Sequence, residues 1–217
     1  ERGSEWFRLL YGIQAETIYL CGAPHVLPLL LAVIEECGDT YTLEQYERKT
    51  PLLFEETSYH FPQSVKQGDA LIVFSREQAM ALAEQLTLAG IYASVVHEDL
   101  PYFAKKAQIQ DFKRGLTDVV IATKTIGVGV NLPIRRVVFM ETTLKDQQTY
   151  RPLTVQEVKQ IAGRAGRQGM YEKGYVTSLE NPEEVRHKLK LQETLVTKSY
   201  VHPSLAVINH SEGTLRE

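Results

Sequence analysis

Short apolar runs rich in β-branched residues alternate along this chain with stretches whose apolar positions recur every three to four residues. ALIVFS (70–75), IYASVVH (91–97), DVVIAT (118–123), RVVFME (136–141) and GYVTSL (174–179) predict strands. TIYLCG (17–22) predicts a buried strand, and TYTLEQY (40–46) alternates like a strand. Helices are predicted over HVLPLLLAVIEECG, closing at Gly38, over REQAMALAEQLTLAG, closing at Gly90, over PYFAKKAQIQDFKRG, and from about residue 155. Residues 50–68 hold Pro51, Pro62 and Gly68 without a clear period and read as a connection. Strands apolar on both faces and alternating with helices call for a parallel sheet covered on both sides, an α/β fold. Ligands of such sheets gather at the carboxyl ends of the strands, here the loops after Leu20, Ser75, His97, Thr123 and Glu141.

The bulk properties narrow this little. The 217 residues are 43% hydrophobic and 24% charged, an ordinary globular balance. A net charge of −3 confines any nucleic-acid contact to a local patch. Two cysteines, Cys21 and Cys37, make neither a disulfide framework nor a metal-ligand spacing, and a reducing compartment is the default expectation. The longest apolar run, VLPLLLAVI, is far short of the roughly 20 residues of a membrane span. The abrupt opening ERGSEWF, without Met, reads as a cut through a longer protein.

The sharpest chemical signal is QIAGRAGRQG (160–169). Thr154 and Glu157 form a capping box that starts its helix, and Val155, Val158, Ile161, Ala162 and Ala165 supply an apolar face. Gln160, Arg164 and Arg167 then fall at i, i+4 and i+7 on a common stripe. Gly163 and Gly166 in a helix interior each cost about 1 kcal/mol relative to alanine, which implies the close approach of another surface. Two guanidinium forks match phosphate oxygens; a solvated face with surface ion pairs is the plainer alternative.

Three other loops add to it. IATKTIGVGVNLP (121–133) runs a strand into a turn with Thr123, Thr125, Gly127, Gly129 and Asn131, whose amides and hydroxyls suit phosphate oxygens. It is no dinucleotide fingerprint, because the third glycine would be Leu132. LIVFSRE offers Ser75 and Arg76 and HEDLP offers His97 at the same sheet edge, a set suited to a nucleic-acid backbone read without base specificity. Alone, His97 is more often a structural residue, and the basic Lys105, Lys106, Lys113 and Arg114 read first as a solvated face.

In this order and spacing LIVFSRE, HEDLP, IATKTIGVGVNLP and QIAGRAGRQG resemble motifs IV, IVa, V and VI of superfamily 2 helicases, nearest to the degradosome-type RNA helicases of mitochondria and their bacterial relatives. YLCGAP resembles motif III of that family, and YERKTPL its crossing into the second RecA-like domain. The resemblance implies a RecA-like, P-loop-NTPase-type sheet with helices on both faces. It implies four segments: the tail of the first RecA-like domain (1–24), a connecting segment (25–68), the second RecA-like domain (69–192) and a C-terminal extension (193–217). It casts Arg167 as the arginine finger and Arg164 as its partner on the γ-phosphate of ATP, with Gln160 beside them. It sets Gly129, Asn131 and Gly163 against the nucleotide, and Ser75, Arg76, His97, Thr123, Lys124 and Thr125 along single-stranded RNA.

The position after Thr123 is usually acidic in the family and is Lys124 here, which either reaches phosphate itself or loosens the link between motif V and the arginines. Neither GxxxxGK[ST] nor a DExH tetrad occurs, so Mg²⁺, the catalytic base and most nucleotide contacts are expected from the first RecA-like domain, and this chain alone is expected not to hydrolyse ATP. By the same resemblance an exoribonuclease is a possible partner, and the compartment is the cytoplasm for a bacterial-type protein or the mitochondrial matrix for a eukaryotic one. Two alternatives stay open: a non-catalytic RNA-binding module derived from a helicase domain, and a DNA helicase or translocase domain.

Overall fold

The computed structural model describes residues 3–123, 132–146, 149–167 and 169–199. The chain divides into two compact units, Tyr46–Leu191 and a second formed by Glu1–Gln45 with Gln192–Glu217.

The larger unit is built on strands β1 (Leu52–Phe54), β2 (Asp69–Ile72), β3 (Ala93–Val96), β4 (Val119–Ala122), β5 (Arg136–Phe139) and, after a hairpin of β6 (Thr143–Asp146) and β7 (Thr149–Pro152), β8 (Gly174–Ser178). The six strands outside the hairpin form one sheet in the order β1-β8-β5-β2-β4-β3. Every pairing in it is parallel. Helices α3 (Arg76–Leu88), α4 (Tyr102–Lys113), α5 (Val155–Ala162) and α6 (Pro182–Lys190) complete the unit.

The strand pattern follows from burial on both faces. Along β2, Ala70 and Ile72 join one core cluster, while Leu71 and the following Val73 join the other. β4 divides in the same way, Val120 and Ala122 against Val119 and Ile121. Successive side chains of a strand point to opposite faces, so a strand covered on both sides must be apolar at every position. Phe112 of α4, Val158, Ile161 and Ala162 of α5 and Val185 of α6 close the first cluster. Ala79 and Leu86 of α3, with Tyr59, close the second.

The smaller unit has helices α1 (Gly3–Gly12) and α2 (Leu27–Glu36), the latter preceded by a 3₁₀ turn at Pro24–Val26. Within it the Tyr11 hydroxyl donates to Glu36, and His25 Nδ1 lies 2.9 Å from Glu193.

Three expectations are corrected. Residues 17–22 and 40–46 form no strand. Tyr19 and Tyr46 are 90% and 86% exposed. An alternating or apolar run becomes a strand only where a second strand takes up its N–H and C=O groups, and none among the described residues does so here. Residues 50–68, read as a connection, contain β1, which pairs with β8 from Leu52↔Gly174 to Phe54↔Val176. The β6–β7 hairpin and α6 were not expected. α6 begins with Asn181 and Pro182 and carries acidic residues in its first turn and basic ones in its last, favourable end chemistry on a segment with few apolar residues.

Candidate functional site

Helix α5 carries the arginine motif to its end. Its first turn is the expected capping box: Thr154 Oγ1 accepts from the Glu157 N–H, and the Glu157 carboxylate accepts from the Thr154 N–H. Arg151 clasps the same carboxylate with two bonds of 2.8 and 2.9 Å. That clasp is the main reason the Glu157 pKa falls to about 2.

The helix stops at Ala162, with Gly163 as its C-cap. Arg164 and Arg167 therefore stand on the turn beyond it, and the helical stripe expected through Gln160, Arg164 and Arg167 does not exist. The Arg164 and Ala165 N–H groups turn to the carbonyls three residues back, Ile161 and Ala162, and the chain then turns away at Gly166, whose φ of +72° is left-handed. Its N–H donates to the carbonyl of Ile134 at 2.9 Å. A Cβ on Gly166 would sit 2.6 Å from the Gly174 Cα and 2.8 Å from Thr50 Cγ2. The close approach implied by the glycines is real, and the surface that approaches is the chain's own β8.

The turn borders a pocket of about 300 Å³ lined by Glu47, Arg48, Lys49, Thr50, Leu132, Ile134 and residues Gly163 to Arg167. Among the described residues four cations line it, Arg48, Lys49, Arg164 and Arg167, against one carboxylate, that of Glu47. Such a concave, cationic lining suits a multiply charged anion such as a phosphate chain. The pocket brings Arg164, Arg167 and Gly163 together. Gln160 is exposed and does not line it. Gly129, Asn131, Lys124 and Thr125 lie outside the described residues.

This pocket lies at the amino ends of the strands, not at the carboxyl edge where a parallel α/β sheet usually gathers its ligands. Ile134 shortly precedes β5, Gly174 begins β8 and Thr50 shortly precedes β1. α5 runs back along the sheet and delivers its C-terminus to the strand starts.

The carboxyl edge holds the other set. Ser75, Thr123 and His97 follow β2, β4 and β3, which are neighbours in the sheet. The Thr123 N–H donates to the Val96 carbonyl at 3.2 Å, which ties two of these loops together. Ser75 caps α3, its Oγ accepting from the Gln78 N–H, and the exposed Arg76 opens that helix. His97 is 6% exposed, and its Nδ1 has no hydrogen-bond partner; Asp99 is 3.9 Å away, beyond bonding distance. Glu141 braces this edge by accepting from the Phe74 N–H, and burial raises its pKa.

Arg48 was missed. Its Nε donates to the Thr50 carbonyl at 2.6 Å, its Nη1 to Gly163 O at 2.8 Å, and its Nη2 to Ala165 O. The only trace in sequence is the basic pair within YERKTPL, and nothing local aims it at residues 163–165.

Residues 51–169 match the family described as helicase conserved C-terminal domain. Residues 1–46 match the DEXQ-box helicase domain of Suv3. The chain is 35% identical over 215 residues to the mitochondrial DExH-box ATP-dependent RNA helicase DExH16 of Arabidopsis thaliana, covering 96% of this chain and 38% of that protein. It is 33% identical to the mitochondrial ATP-dependent RNA helicase SUV3 of rice, covering 96% of this chain and 37% of that protein. With human mitochondrial SUPV3L1 it shares 30% identity over 84% of this chain and 24% of that protein. The chain thus spans well under half the length of these relatives. Among solved structures, Saccharomyces cerevisiae Dbp5 bound to RNA and ADP BeF3 superposes with a TM-score of 0.56 at 17% identity, over 88% of this chain and 54% of that one. That likeness concerns the RecA-like α/β fold alone.

Proposed function

For a chain that belongs to the helicase conserved C-terminal domain family, we propose the role of second motor domain in an ATP-dependent RNA helicase, supplying the arginine finger and part of a single-stranded RNA track. The observation that carries this reading is the amino-edge pocket, where Arg164 and Arg167 share one cationic cavity. Arg167 is the finger on the γ-phosphate and Arg164 its partner, with Gly163 beside them; Gly129 and Asn131 complete the nucleotide side. A lining of four cations and one carboxylate fits phosphate and not Mg²⁺, so the metal belongs with the first RecA-like domain, which also orients the attacking water.

The carboxyl-edge groups Ser75, Arg76, His97 and Thr123, with Lys124 and Thr125, form the RNA track. Short hydroxyls, a guanidinium and an imidazole bind a phosphate backbone without reading bases. Residues 1–24 are the tail of the first domain and 193–217 an extension. The crossing between domains lies in YERKTPL (46–52), within the connecting segment 25–68, a reading supported by the gap between the two family matches and by the start of the compact unit at Tyr46. The names of the relatives favour a mitochondrial compartment. An exoribonuclease partner rests on the family resemblance alone.

The test is RNA-stimulated ATP hydrolysis by the full-length protein, wild type against Arg167→Ala. The expected result is a fall in kcat of roughly a thousandfold, with ATP binding retained. A mutant as fast as wild type would refute the finger assignment. A wild type that binds RNA and never hydrolyses ATP would make this an RNA-binding module, and stimulation by DNA equal to that by RNA would make it a DNA motor.

A further inference from the structure

We propose that Arg48 is a positioning residue for the arginine turn: its guanidinium fastens the segment that enters the domain to the backbone on both sides of Arg164. The inference rests on the proposed role of Arg164 and Arg167.

The geometry is specific. Gly163 and Ala165 flank Arg164, and Arg48 takes both of their carbonyls together with that of Thr50. The two tied carbonyls lie 115 and 117 residues away in sequence. The end of α5 leaves carbonyls without intrahelical partners, at the negative end of the helix dipole. A planar guanidinium donates to several such oxygens at fixed angles, whereas an ammonium is a single point of charge. Beyond Ala165, the Gly166 N–H bond to Ile134 fixes the turn to the base of β5. Arg164 therefore stands between two anchors, one on the sheet and one on Arg48. A displacement of Arg48 would carry the backbone of Arg164 with it.

Arg48 also lies in the short interval 47–50 between the two family matches. It does not need to touch the nucleotide to matter. A misplacement of about 1 Å in a group that stabilises a transition state can cost a hundredfold in rate.

The experiment is a double-mutant cycle on the full-length protein: wild type, Arg48→Ala, Arg164→Ala and the double mutant. Expected is a fall in kcat of roughly ten- to a hundredfold for Arg48→Ala, with KM for ATP within about twofold. In the Arg164→Ala background the same change costs nothing further, because the group it positions is gone. An equal loss in both backgrounds would overturn the proposal, and so would a raised KM at unchanged kcat, which would make Arg48 a direct nucleotide contact.

Amide hydrogen exchange gives a readout independent of ATPase activity. Expected is at least tenfold faster exchange across 163–167 in Arg48→Ala, with β2 and β4 unchanged, and a smaller rise in Arg48→Lys. Unaltered exchange at 163–167 would overturn the proposal. If Arg48→Ala fails to fold, Arg48→Lys carries both measurements. A wild type inert toward ATP sinks the motor reading but leaves the exchange result to decide the role of Arg48 in the turn.

Discussion

The amino and carboxyl edges of this parallel sheet are built differently. At the amino edge, distant segments are bolted together: Arg136 pairs with Asp69 and Glu55 and donates to the Ser64 carbonyl, Gly166 lies against Gly174, and Arg48 holds the arginine turn. At the carboxyl edge the groups follow the strands directly, Ser75 is engaged as a helix cap, and the buried Nδ1 of His97 has no hydrogen-bond partner. Long cationic side chains lose much rotamer freedom when they are held in one geometry, so a site that needs fixed guanidinium groups needs a braced backbone beneath them. A track for a flexible backbone tolerates loosely fixed hydroxyls. The contrast is between a braced base and a looser rim, and on the proposed reading the base positions phosphate while the rim holds RNA.

The sharpest way to break this contrast is to unbolt the base. Arg136 is 2% exposed and Asp69 is fully buried, so Arg136→Ala leaves an uncompensated buried carboxylate. Chemical denaturation is expected to record a loss of about 3–5 kcal/mol. A loss below about 1 kcal/mol would mean that the amino edge is no more tightly built than the rim.

The next prediction concerns the rim. His97→Ala should weaken single-stranded RNA binding by roughly five- to tenfold, about the value of one polar contact, while kcat for ATP at saturating RNA stays near wild type. Fluorescence anisotropy with a labelled RNA reads the first quantity and steady-state hydrolysis the second. A mutant that binds RNA normally but hydrolyses ATP slowly would merge the two edges into one site.

The smallest effect lies at the start of α5. The Glu157 carboxyl titrates near 2 instead of its ordinary 4.5. A depressed folded-state pKa stabilises above the unfolded value, so this contribution is complete above about pH 4.5 and disappears as pH falls toward 2. Thermal melts of wild type and Glu157→Gln should differ by about 1 kcal/mol at neutral pH and converge near pH 2. A constant difference at every pH would assign the effect to packing and not to the charge.

Much of this was legible locally. The two-faced apolar strands, the capping box of Thr154 and Glu157 and the pairing of Arg164 with Arg167 all follow from residue type and spacing. The misreadings have a common origin. Residues 17–22 look like a strand, but strandness depends on a partner that no spacing reveals. The periodicity through Gln160, Arg164 and Arg167 is helical, yet the turn at Gly166 is imposed by Gly174 and Thr50, which press against it from elsewhere in the chain. β1 escaped notice because only three of its residues pair, at the edge of the sheet.

By itself the sequence determined the α/β class, the parallel sheet and the phosphate-suited arginine pair, because hydrophobic period, helix capping and side-chain chemistry act over a few neighbouring residues. Tertiary structure decided which edge of the sheet each group occupies, where α5 ends and that Arg48 grips the arginine turn. Those outcomes depend on contacts between separate segments, some, such as Arg48 with Gly163 and Ala165, more than a hundred residues apart, and such contacts form only once the sheet has assembled.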